Sequence, residues 1–307
     1  MTGGAGFIGS HLVDQLILTG HEVIVVDNLS TGTLRNINAK AQLNNIDVTD
    51  MLLCSAFEKC GHIDAVVHFA AQPSVAVSWK CVFEDAHVNI GGTVNVLDCC
   101  RRYGVGHIVF ASSAAIYGHA IELPITEDTL TAPMSPYAAA KLSAEEYIKM
   151  YGREYGINTC IMRFANVYGP RQNASGESGV VSIFASALVS GQPVRITGDG
   201  LQTRDFIYVA DVAAAVLRSL AARSSGVYNI STNSEISVAD VFRIMCKAAD
   251  ANTSVIWCDE SPGDVRNSRL DNQLAKNQLG WEPLVAFEDG VRATIRYFQL
   301  ASNRSIT

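Results

Sequence analysis

The stretch Thr2-Gly3-Gly4-Ala5-Gly6-Phe7-Ile8-Gly9 decides the fold that this sequence predicts. Its first, third and last glycines are three residues apart, and apolar residues at helical spacing follow from Leu12 to Ile17. Glycines in such a loop permit a tight turn and let the backbone approach a pyrophosphate, while the N-terminus of the next helix offers N–H donors. The stretch therefore predicts a dinucleotide-binding loop, with the cofactor against Gly3, Gly6, Phe7, Ile8 and Gly9.

A β-strand pattern over His21–Val26 follows and ends in Asp27. In dinucleotide sites, an acidic residue about twenty positions after the glycine loop binds the ribose hydroxyls of the adenosine and repels a 2′-phosphate. Loop, helix, strand and Asp27 occur here in that order, so the sequence favours NAD over NADP as the cofactor. We assign Asp27 and the adjacent Asn28 to the cofactor site.

Very little of the chain precedes the glycine loop, namely Met1 and Thr2. A Rossmann unit places a strand before that loop, in the middle of its sheet. We therefore expect the first strand to be missing or truncated, either because the natural start lies upstream or because the central strand is absent.

Further cofactor candidates lie near the carboxyl ends of predicted strands, where parallel sheets bind their ligands. Asp47-Val48 closes a short polar strand; it either meets the adenine or simply ends the strand before a helix over 49–60. An apolar strand over 65–70 contains His68, which is interpreted as a packed residue, and a long helix follows over 82–103. The candidates from these segments are Asp47, Val48, Phe69, Ala70, Ala71 and Asn89.

Tyr137 and Lys141 lie at the head of a helix predicted over 135–155. Residues four apart share a helix face, with Cβ atoms roughly 5–6 Å apart, so a phenol and an ammonium would face one pocket. A neighbouring cation lowers the pKa of a tyrosine from about 10, and a phenol tuned close to neutrality can act as a general base. Ser113 follows a strand predicted over 107–111 and can hydrogen-bond the hydroxyl that Tyr137 deprotonates; the alternative is a serine-rich turn.

The composition indicates a globular protein, since 48% of the 307 residues are hydrophobic and 17% are charged. A net charge of −7 argues against nucleic acid as the main partner, and no apolar run reaches the roughly 18–20 residues of a membrane span. The eight cysteines form neither a Cys-x-x-Cys pair nor a Cys/His cluster at zinc spacing. No metal is therefore predicted, and the thiols are interpreted as reduced, in a cytoplasmic protein.

The motifs together resemble a known family, the extended short-chain dehydrogenase/reductases, and within it the nucleotide-sugar 4-epimerases. Besides the glycine loop and the Ser113, Tyr137 and Lys141 set, the resemblance rests on four stretches and covers nearly the whole chain. It implies an α/β fold, a Rossmann-type doubly wound parallel sheet with a smaller C-terminal lobe that binds the substrate. The four stretches are Arg163–Pro170, Gly198–Val209, Pro262–Arg266 and Leu279–Trp281.

The activity that this resemblance implies is epimerisation at C4 of a UDP-hexose, UDP-glucose or UDP-galactose, through a 4-keto sugar and with tightly held NAD. Tyr137 is implied to take the proton of the sugar 4-hydroxyl while hydride passes from C4 to the nicotinamide, later to return to the other face. Lys141 is implied to bind the nicotinamide ribose, and Ser113 to share the hydrogen bond of the proton.

The resemblance also implies nucleotide contacts at Asn166, Arg204 and Asp264. A guanidinium suits that role because it is always charged and recognises phosphate in a bidentate way; without the family, Arg204 and Asp205 would be interpreted as a surface ion pair. Ser268 matches a position that limits substrate size in the family. Its small side chain predicts room for an N-acetyl group, and hence activity on UDP-GlcNAc and UDP-GalNAc as well.

The chain departs from the family pattern at two places. Related 4,6-dehydratases carry Asp-Glu directly after the Ser/Thr, where this chain has Ala114 and Ala115, so elimination of water is not expected. Ser261 stands where the family often has a diphosphate-binding arginine, and Arg266 is the candidate to replace it.

The predicted organisation is two lobes with the ligand between them. Strands predicted over 206–208 and 227–230 return to the main sheet. The NAD-binding Rossmann domain is predicted to comprise residues 1–166 plus 204–231, and the nucleotide-sugar-binding lobe residues 167–203 plus 232–307.

The resemblance implies a homodimer, because in the family the helices at 82–103 and 135–155 pair across a two-fold axis. Three other interpretations stay open at this point. They are a UDP-glucuronate 4-epimerase, another nucleotide-sugar oxidoreductase, and a non-catalytic NAD-binding protein.

Overall fold

A parallel β-sheet forms the centre of the molecule, and its strands come from short, mostly buried apolar runs. The computed structural model describes residues 1–174, 179–251, 253–260 and 265–304. The strands in these ranges are β1 (Ile24–Val26), β2 (Gln42–Asn44), β3 (Val66–His68), β4 (His107–Ser113), β5 (Asn158–Phe164), β6 (Asn166–Tyr168), β7 (Val194–Thr197), β8 (Thr203–Arg204), β9 (Phe206–Tyr208), β10 (Gly226–Ile230), β11 (Ile236–Ser237) and β12 (Val255–Cys258).

Helices connect these strands, and no helix in the described ranges is both long and apolar enough to cross a membrane. Two 3₁₀-helices, over Leu34–Asn36 and Ala114–Tyr117, add short connections. The α-helices are α1 (Phe7–Leu18), α2 (Leu53–Cys60), α3 (Val75–Lys80), α4 (Val82–Ala86), α5 (Thr93–Arg102), α6 (Pro136–Tyr155), α7 (Val180–Val189), α8 (Val209–Ala222), α9 (Val238–Ala249), α10 (Gln273–Leu279) and α11 (Phe287–Arg304).

The main sheet has the order β2-β1-β3-β4-β5-β10, with the first residues of the chain between β1 and β3. Every pairing in it is parallel, which confirms the predicted Rossmann-type α/β fold. Thr2 bridges both Val26 and His68; its amide donates to the Val67 oxygen at 2.9 Å, and the Phe69 amide donates to its carbonyl at 3.2 Å. Within the described residues, the first strand is reduced to the bridges at Thr2, which hydrogen-bonds β3 while its flanking residues bond β1, in agreement with the expectation of a missing or truncated strand.

Helix α6, which carries Tyr137 and Lys141, begins and ends where its local sequence directs. The Ser135 side chain caps it by accepting from the Ala138 amide at 3.1 Å, and Pro136 occupies the first turn, where a missing N–H costs nothing. Gly156 ends it in the left-handed conformation, with φ of 68°. The helix predicted over 135–155 is confirmed.

The helix predicted over 82–103 is present but is not uniform. An α-helical start, α4, passes through a π-helical turn over His87–Gly92 before α5 begins. The hydroxyl of Thr93 donates to the carbonyl of Asn89 at 2.7 Å inside this turn. Such turns insert one extra residue into a helix and often lie at functional sites, and nothing in the 3.6-residue apolar spacing marks them.

The prediction that Phe206–Tyr208 returns to the main sheet is wrong. This strand, β9, pairs only with β6, in register from Asn166 opposite Phe206 to Tyr168 opposite Tyr208. A three-residue apolar run carries no information on its partner, and here β6 leaves the main sheet directly after β5. The strand over 227–230 does join the main sheet, as β10 beside β5.

The C-terminal part of the chain has its own apolar core. Helices α7, α9 and α11 pack on one another and against two small sheets, β12-β7 and β11-β8. Buried members of this core include Phe184, Val241, Met245 and Val291. The core around the main sheet lies in two layers, one on each face.

His68 is fully packed in the main sheet, as interpreted from the sequence. Its Nδ1 lies 2.7 Å from the Thr2 hydroxyl and its Nε2 lies 3.0 Å from the Thr93 hydroxyl. The pKa of His68 is lowered to about 3, mainly by burial and in smaller part by the charges of Lys141 and the N-terminus. The imidazole is therefore neutral in the folded protein at pH 5, whereas an unfolded histidine, with a pKa near 6.5, is then mostly protonated.

The buried histidine should make the protein sensitive to acid. Between pH 6.5 and 3 the unfolded state binds the extra proton, so stability falls as the pH falls through this window. We expect the free energy of unfolding of the natural protein to drop by about 2 kcal/mol more between pH 7 and pH 5 than that of His68→Gln. Urea unfolding at both pH values measures this; the exposed His62→Gln should keep the natural pH dependence, and an equal drop in His68→Gln would contradict the argument.

Candidate active site

Tyr137, Lys141 and Ser113 come together beside the carboxyl end of β4. Lys141 lies one turn after Tyr137 on α6, with its Nζ 5.9 Å from the centre of the Tyr137 ring. The buried ammonium donates to the Ala111 carbonyl at 2.9 Å. β4 runs two residues further than predicted, so Ser113 ends a strand; its hydroxyl accepts from the Ala115 amide at 3.2 Å and hydrogen-bonds with the Tyr137 phenol.

The Tyr137 hydroxyl is enclosed, although the residue as a whole keeps some exposure. Burial raises the pKa of Tyr137 to about 12; the hydrogen bond with Ser113 opposes this rise and the Asp85 carboxylate adds to it. The expectation that Lys141 by itself brings the phenol close to neutrality is therefore wrong. Burial of the phenol, rather than the cation beside it, sets the direction of the shift.

The pKa of Lys141 is lowered towards neutral pH. Burial lowers its pKa to about 8, and the carboxylates of Asp85 and Glu145 oppose the shift. A buried ammonium with a lowered pKa can hold a proton near neutrality and release it more easily than a free lysine.

Asp85 was missed by the sequence reasoning. It is buried on α4, and its Oδ1 accepts from Gln72 Nε2 at 2.7 Å and from Asn89 Nδ2 at 3.0 Å. Its charge acts on both Tyr137 and Lys141. The spacing of four residues between Asp85 and Asn89 was the available signal, because it puts both side chains on one face of a helix.

A buried ion pair lies directly beneath the site. Arg163 of β5 donates to both oxygens of Glu145 on α6, from Nε at 3.0 Å and from Nη2 at 2.8 Å. The Ser112 hydroxyl donates to the same carboxylate at 2.5 Å, and Arg163 Nη1 donates to the Tyr117 hydroxyl at 2.8 Å. Glu145 lies one turn after Lys141 on α6. The pair therefore joins α6 to β5 through Arg163 and to β4 through Ser112.

The glycine loop has the close backbone approaches that require glycine. Gly3 has φ of 70°, and a Cβ there would lie 2.6 Å from the Ala70 nitrogen; a Cβ at Gly9 would overlap the Gly3 carbonyl oxygen. A Cβ at Gly6 would meet only that oxygen, at 3.3 Å, and would otherwise fill open space. No side chain caps α1 within the described residues, so its first N–H groups, at Phe7 and Ile8, are available to a phosphate. These features fit a pyrophosphate.

Asp27 directly follows β1, and its carboxylate accepts hydrogen bonds from the backbone of that loop and of the next residues. Oδ2 accepts from the Ala5 amide at 2.9 Å and Oδ1 accepts from the Leu29 amide at 2.8 Å. Beside it, Asn28 Nδ2 donates to Asp47 Oδ2 at 2.6 Å. Burial raises the pKa of Asp47, but hydrogen bonds from Thr49 and Asn28 lower it to a net value below the usual range.

The remaining cofactor candidates differ in their surroundings. Asp47 lies in the turn before α2 rather than in a strand, and Val48 is buried against Gly92. Phe69, Ala70 and Ala71 follow β3 beside the glycine loop, as placed by the Gly3 contact. The Asn89 side chain is buried and hydrogen-bonds the backbone of Gln72. Its Oδ1 accepts from the Gln72 amide at 2.9 Å, and its Nδ2 donates to the Gln72 carbonyl at 3.1 Å. It therefore orders the loop after β3.

The predicted substrate residues lie on segments that follow β5 and flank β8. Asn166 is exposed at the start of β6, and Arg204 ends β8 with its Nη1 donating to the Thr203 carbonyl at 2.8 Å. Asp205 is buried, not on the surface, and accepts from the Thr232 hydroxyl at 2.7 Å. The surface ion pair that Arg204 and Asp205 would otherwise suggest is therefore not formed, because the strand turns Asp205 inward. Asp264 lies outside the described residues.

The segment with Ser268 is tied to β8. The Thr203 amide donates to the Arg266 carbonyl, and Asn267 Nδ2 donates to the Thr203 hydroxyl, both at 2.9 Å. A cleft of about 270 Å³ opens here, between the segment 265–267 and the loop 119–123. The Arg266 guanidinium pairs with both oxygens of Asp199 at 2.8 Å each, so a phosphate at Arg266 would compete with this carboxylate; Ser261 lies outside the described residues.

Comparison with known proteins agrees with this geometry. The model of the NAD dependent epimerase/dehydratase family matches residues 1–231. A relative from Methanocaldococcus jannaschii, a putative UDP-glucose 4-epimerase, is 41% identical, and the match covers 97% of each chain. The crystal structure of UDP-glucose 4-epimerase from Thermotoga maritima with UDP-glucose is also 41% identical, covers 98% of each chain and has a TM-score of 0.94.

A second similar structure acts on a different sugar. UDP-N-acetylglucosamine 4-epimerase from Methanobrevibacter ruminantium, in complex with UDP-N-acetylmuramic acid, is 33% identical, with a TM-score of 0.93 over 98% of this chain and 97% of that one. The chain thus belongs to the NAD dependent epimerase/dehydratase family, as the motifs predicted. It is an enzyme of that family with NAD as its cofactor, which excludes the non-catalytic interpretation.

Proposed function

We propose that the protein interconverts UDP-glucose and UDP-galactose by NAD-dependent epimerisation at C4. The observation that carries the proposal is the cluster of Ser113, Tyr137 and Lys141 at the carboxyl end of β4, on the same edge of the sheet as the glycine loop. The similarity of the whole chain to UDP-glucose 4-epimerases supports it. Ala114 and Ala115, next to Ser113, offer no acid or base for elimination of water.

The proposed roles follow from where each proton can go. Tyr137 removes the proton from the sugar 4-hydroxyl, and Ser113 hydrogen-bonds both that oxygen and the phenol, so the proton has a short path. The glycine loop and Asp27 would hold NAD, which in its oxidised form would supply the hydride acceptor for C4 and a positive charge in the pocket. Lys141 binds the nicotinamide ribose and adds a second positive charge near the phenol.

Charge balance determines when Tyr137 can act. Burial keeps the phenol protonated in the protein itself, since its pKa is about 12. Lys141, with its pKa of about 8, and a cationic cofactor are the groups that can offset this. The Asp85 carboxylate raises the pKa of the Tyr137 phenol, and it also favours the charged form of Lys141.

The test of the proposal is conversion of UDP-galactose by the purified protein loaded with oxidised NAD, followed by the anomeric proton signals in NMR. We expect UDP-glucose to appear without net change in nicotinamide absorbance. Tyr137→Phe should lose at least about 10³-fold in turnover, because general-base catalysis contributes 10²–10⁴-fold, and should still bind NAD. Tyr147→Phe, on the same helix, should stay active. Retained turnover in Tyr137→Phe would refute the mechanism; net NADH formation would indicate an oxidoreductase instead.

UDP-N-acetylhexosamines are a second proposed substrate class, supported by the small side chain at Ser268. One of the similar structures is a UDP-N-acetylglucosamine 4-epimerase. The proposed diphosphate contacts, Asn166, Arg204 and Asp264, are common to both substrate classes, so the sugar subsite would decide between them.

Enlarging residue 268 should separate the two substrate classes. In Ser268→Tyr we expect kcat/KM for UDP-GlcNAc to fall at least about tenfold relative to UDP-galactose, since the phenol would fill the space of the N-acetyl group. Ser268→Ala is the control and should convert both sugars. If the natural protein does not convert UDP-GlcNAc, the proposal for this class is wrong.

We infer that two copies of the chain form a homodimer through α3, α4 and α6. These helices pack on one another and present exposed apolar side chains, with Phe83 83% and Trp79 62% exposed. Tyr147, Met150 and Tyr155 extend the surface along α6. An exposed apolar surface of this kind favours burial against a partner, and a second copy with the same surface is self-complementary.

The association should be visible by sedimentation velocity. We expect the natural protein to sediment as a dimer and Phe83→Asp as a monomer, because the charge would be buried at the interface. Leu284→Asp, an equally exposed apolar position on another surface, should leave the dimer intact. A monomeric natural protein would exclude the interface.

The division into lobes and the location in the cell also remain proposals. Residues 1–166 plus 204–231 would bind NAD, and 167–203 plus 232–307 would bind the nucleotide sugar; the separate apolar core around α7, α9 and α11 supports this division.

A cytoplasmic location is supported by the eight cysteines, which are free in the structure, and cell fractionation can test it.

A further inference from the structure

Two cysteines from different helices are in direct contact away from the active site. The sulfur atoms of Cys54 and Cys99 are 3.0 Å apart, although 45 positions separate the residues in the chain. A disulfide bond measures about 2.05 Å, so a movement of about 1 Å would join them. Among the hydrogen bonds of the described residues, this is the only contact between two cysteine sulfurs.

The surroundings of the two thiols differ in a way that suits stepwise oxidation. Cys54 lies in the first turn of α2 and is partly exposed, whereas Cys99 lies inside α5 and is fully buried. Burial raises the pKa of the Cys99 thiol, and Cys54 raises it further. A small oxidant can therefore reach Cys54 first, while the raised pKa keeps Cys99 protonated and burial protects it from solvent until Cys54 has reacted.

We propose that Cys54 and Cys99 form a reversible intramolecular disulfide by exchange with a small disulfide such as oxidised glutathione. In the first step the Cys54 thiolate attacks the small disulfide, forms a mixed disulfide and releases one thiol. In the second step Cys99 loses its proton and attacks the Cys54 sulfur, releasing the second thiol. Two cysteines are oxidised, and one small disulfide is reduced to two thiols.

The cross-link would join α2 to α5, next to the turn with Val48 and Asp50, which already contacts α5. Asn95, one turn before Cys99, donates from Nδ2 to the Val48 carbonyl at 2.7 Å and to the Asp50 carbonyl at 2.9 Å. Val48 in turn packs against Gly92. A covalent bond at Cys54 would fasten the same turn to α5 and close a loop of about 46 residues, which restricts the unfolded chain.

The proposal can be tested on the full protein without any assay of activity. We expect incubation with oxidised glutathione, followed by alkylation of the unfolded protein and intact mass measurement, to show a mass lower by two alkyl groups than that of the dithiothreitol-treated protein alkylated in the same way. Peptide mapping should locate the bond between Cys54 and Cys99. The melting temperature should rise by about 5 °C on oxidation and return on reduction.

Substitutions separate this pair from the other thiols. Cys54→Ser and Cys99→Ala should each abolish the mass loss and the rise in melting temperature, whereas Cys60→Ser, in the same helix as Cys54, should retain both. Three results would overturn the proposal: a bond mapped to another pair, a cross-link that persists in Cys54→Ser, or glutathione that stays attached at Cys54 without cross-linking.

Discussion

The buried pair between Arg163 and Glu145 is the interaction on which the arrangement of the site depends. Charges removed from water are tolerated only when they are paired and hydrogen-bonded, and this pair meets that condition with two bonds between the partners and a third from Ser112. It connects β5, α6 and the tip of β4. A shift of α6 along the sheet would break it, so the pair sets where Tyr137 lies relative to Ser113.

The main sheet brings together residues that are far apart in the chain because all its strands end at one edge. Asp27 directly follows β1, and Ser113 ends β4 opposite Phe164. Thr2 pairs with both central strands, and its neighbours Met1 and Gly3 bond Val26. This short pairing holds the glycine loop at the same edge. The glycine loop, Asp27 and Ser113 thus lie at one edge of the sheet through parallel pairing, and the hydrogen bond from the Ala5 amide to Asp27 fastens the first two to each other.

The spacing of residues in the sequence correctly predicted those features that depend on residues close together in the chain. The glycine loop, the α6 boundaries and the shared face of Tyr137 and Lys141 depend on residues within a few turns, and the structure shows each of them. The partner of β9 and the inward turn of Asp205 depend on tertiary pairing, which a two- or three-residue run does not encode. The pKa of Tyr137 was misjudged because the sequence shows its neighbouring cation but not the burial that opposes it, nor Asp85 on another helix.

The π-helical turn at His87–Gly92 has a consequence for how this enzyme can vary in length. Each residue removed from an ordinary helix turns everything after it by about 100°, which would carry the buried face of α5 away from the sheet. A π turn already holds one residue more than an α-helix would, so a single-codon deletion there would restore regular winding and keep α4 and α5 in phase. Gene variants that lose one residue are therefore more compatible with the fold at this turn than elsewhere in the helix.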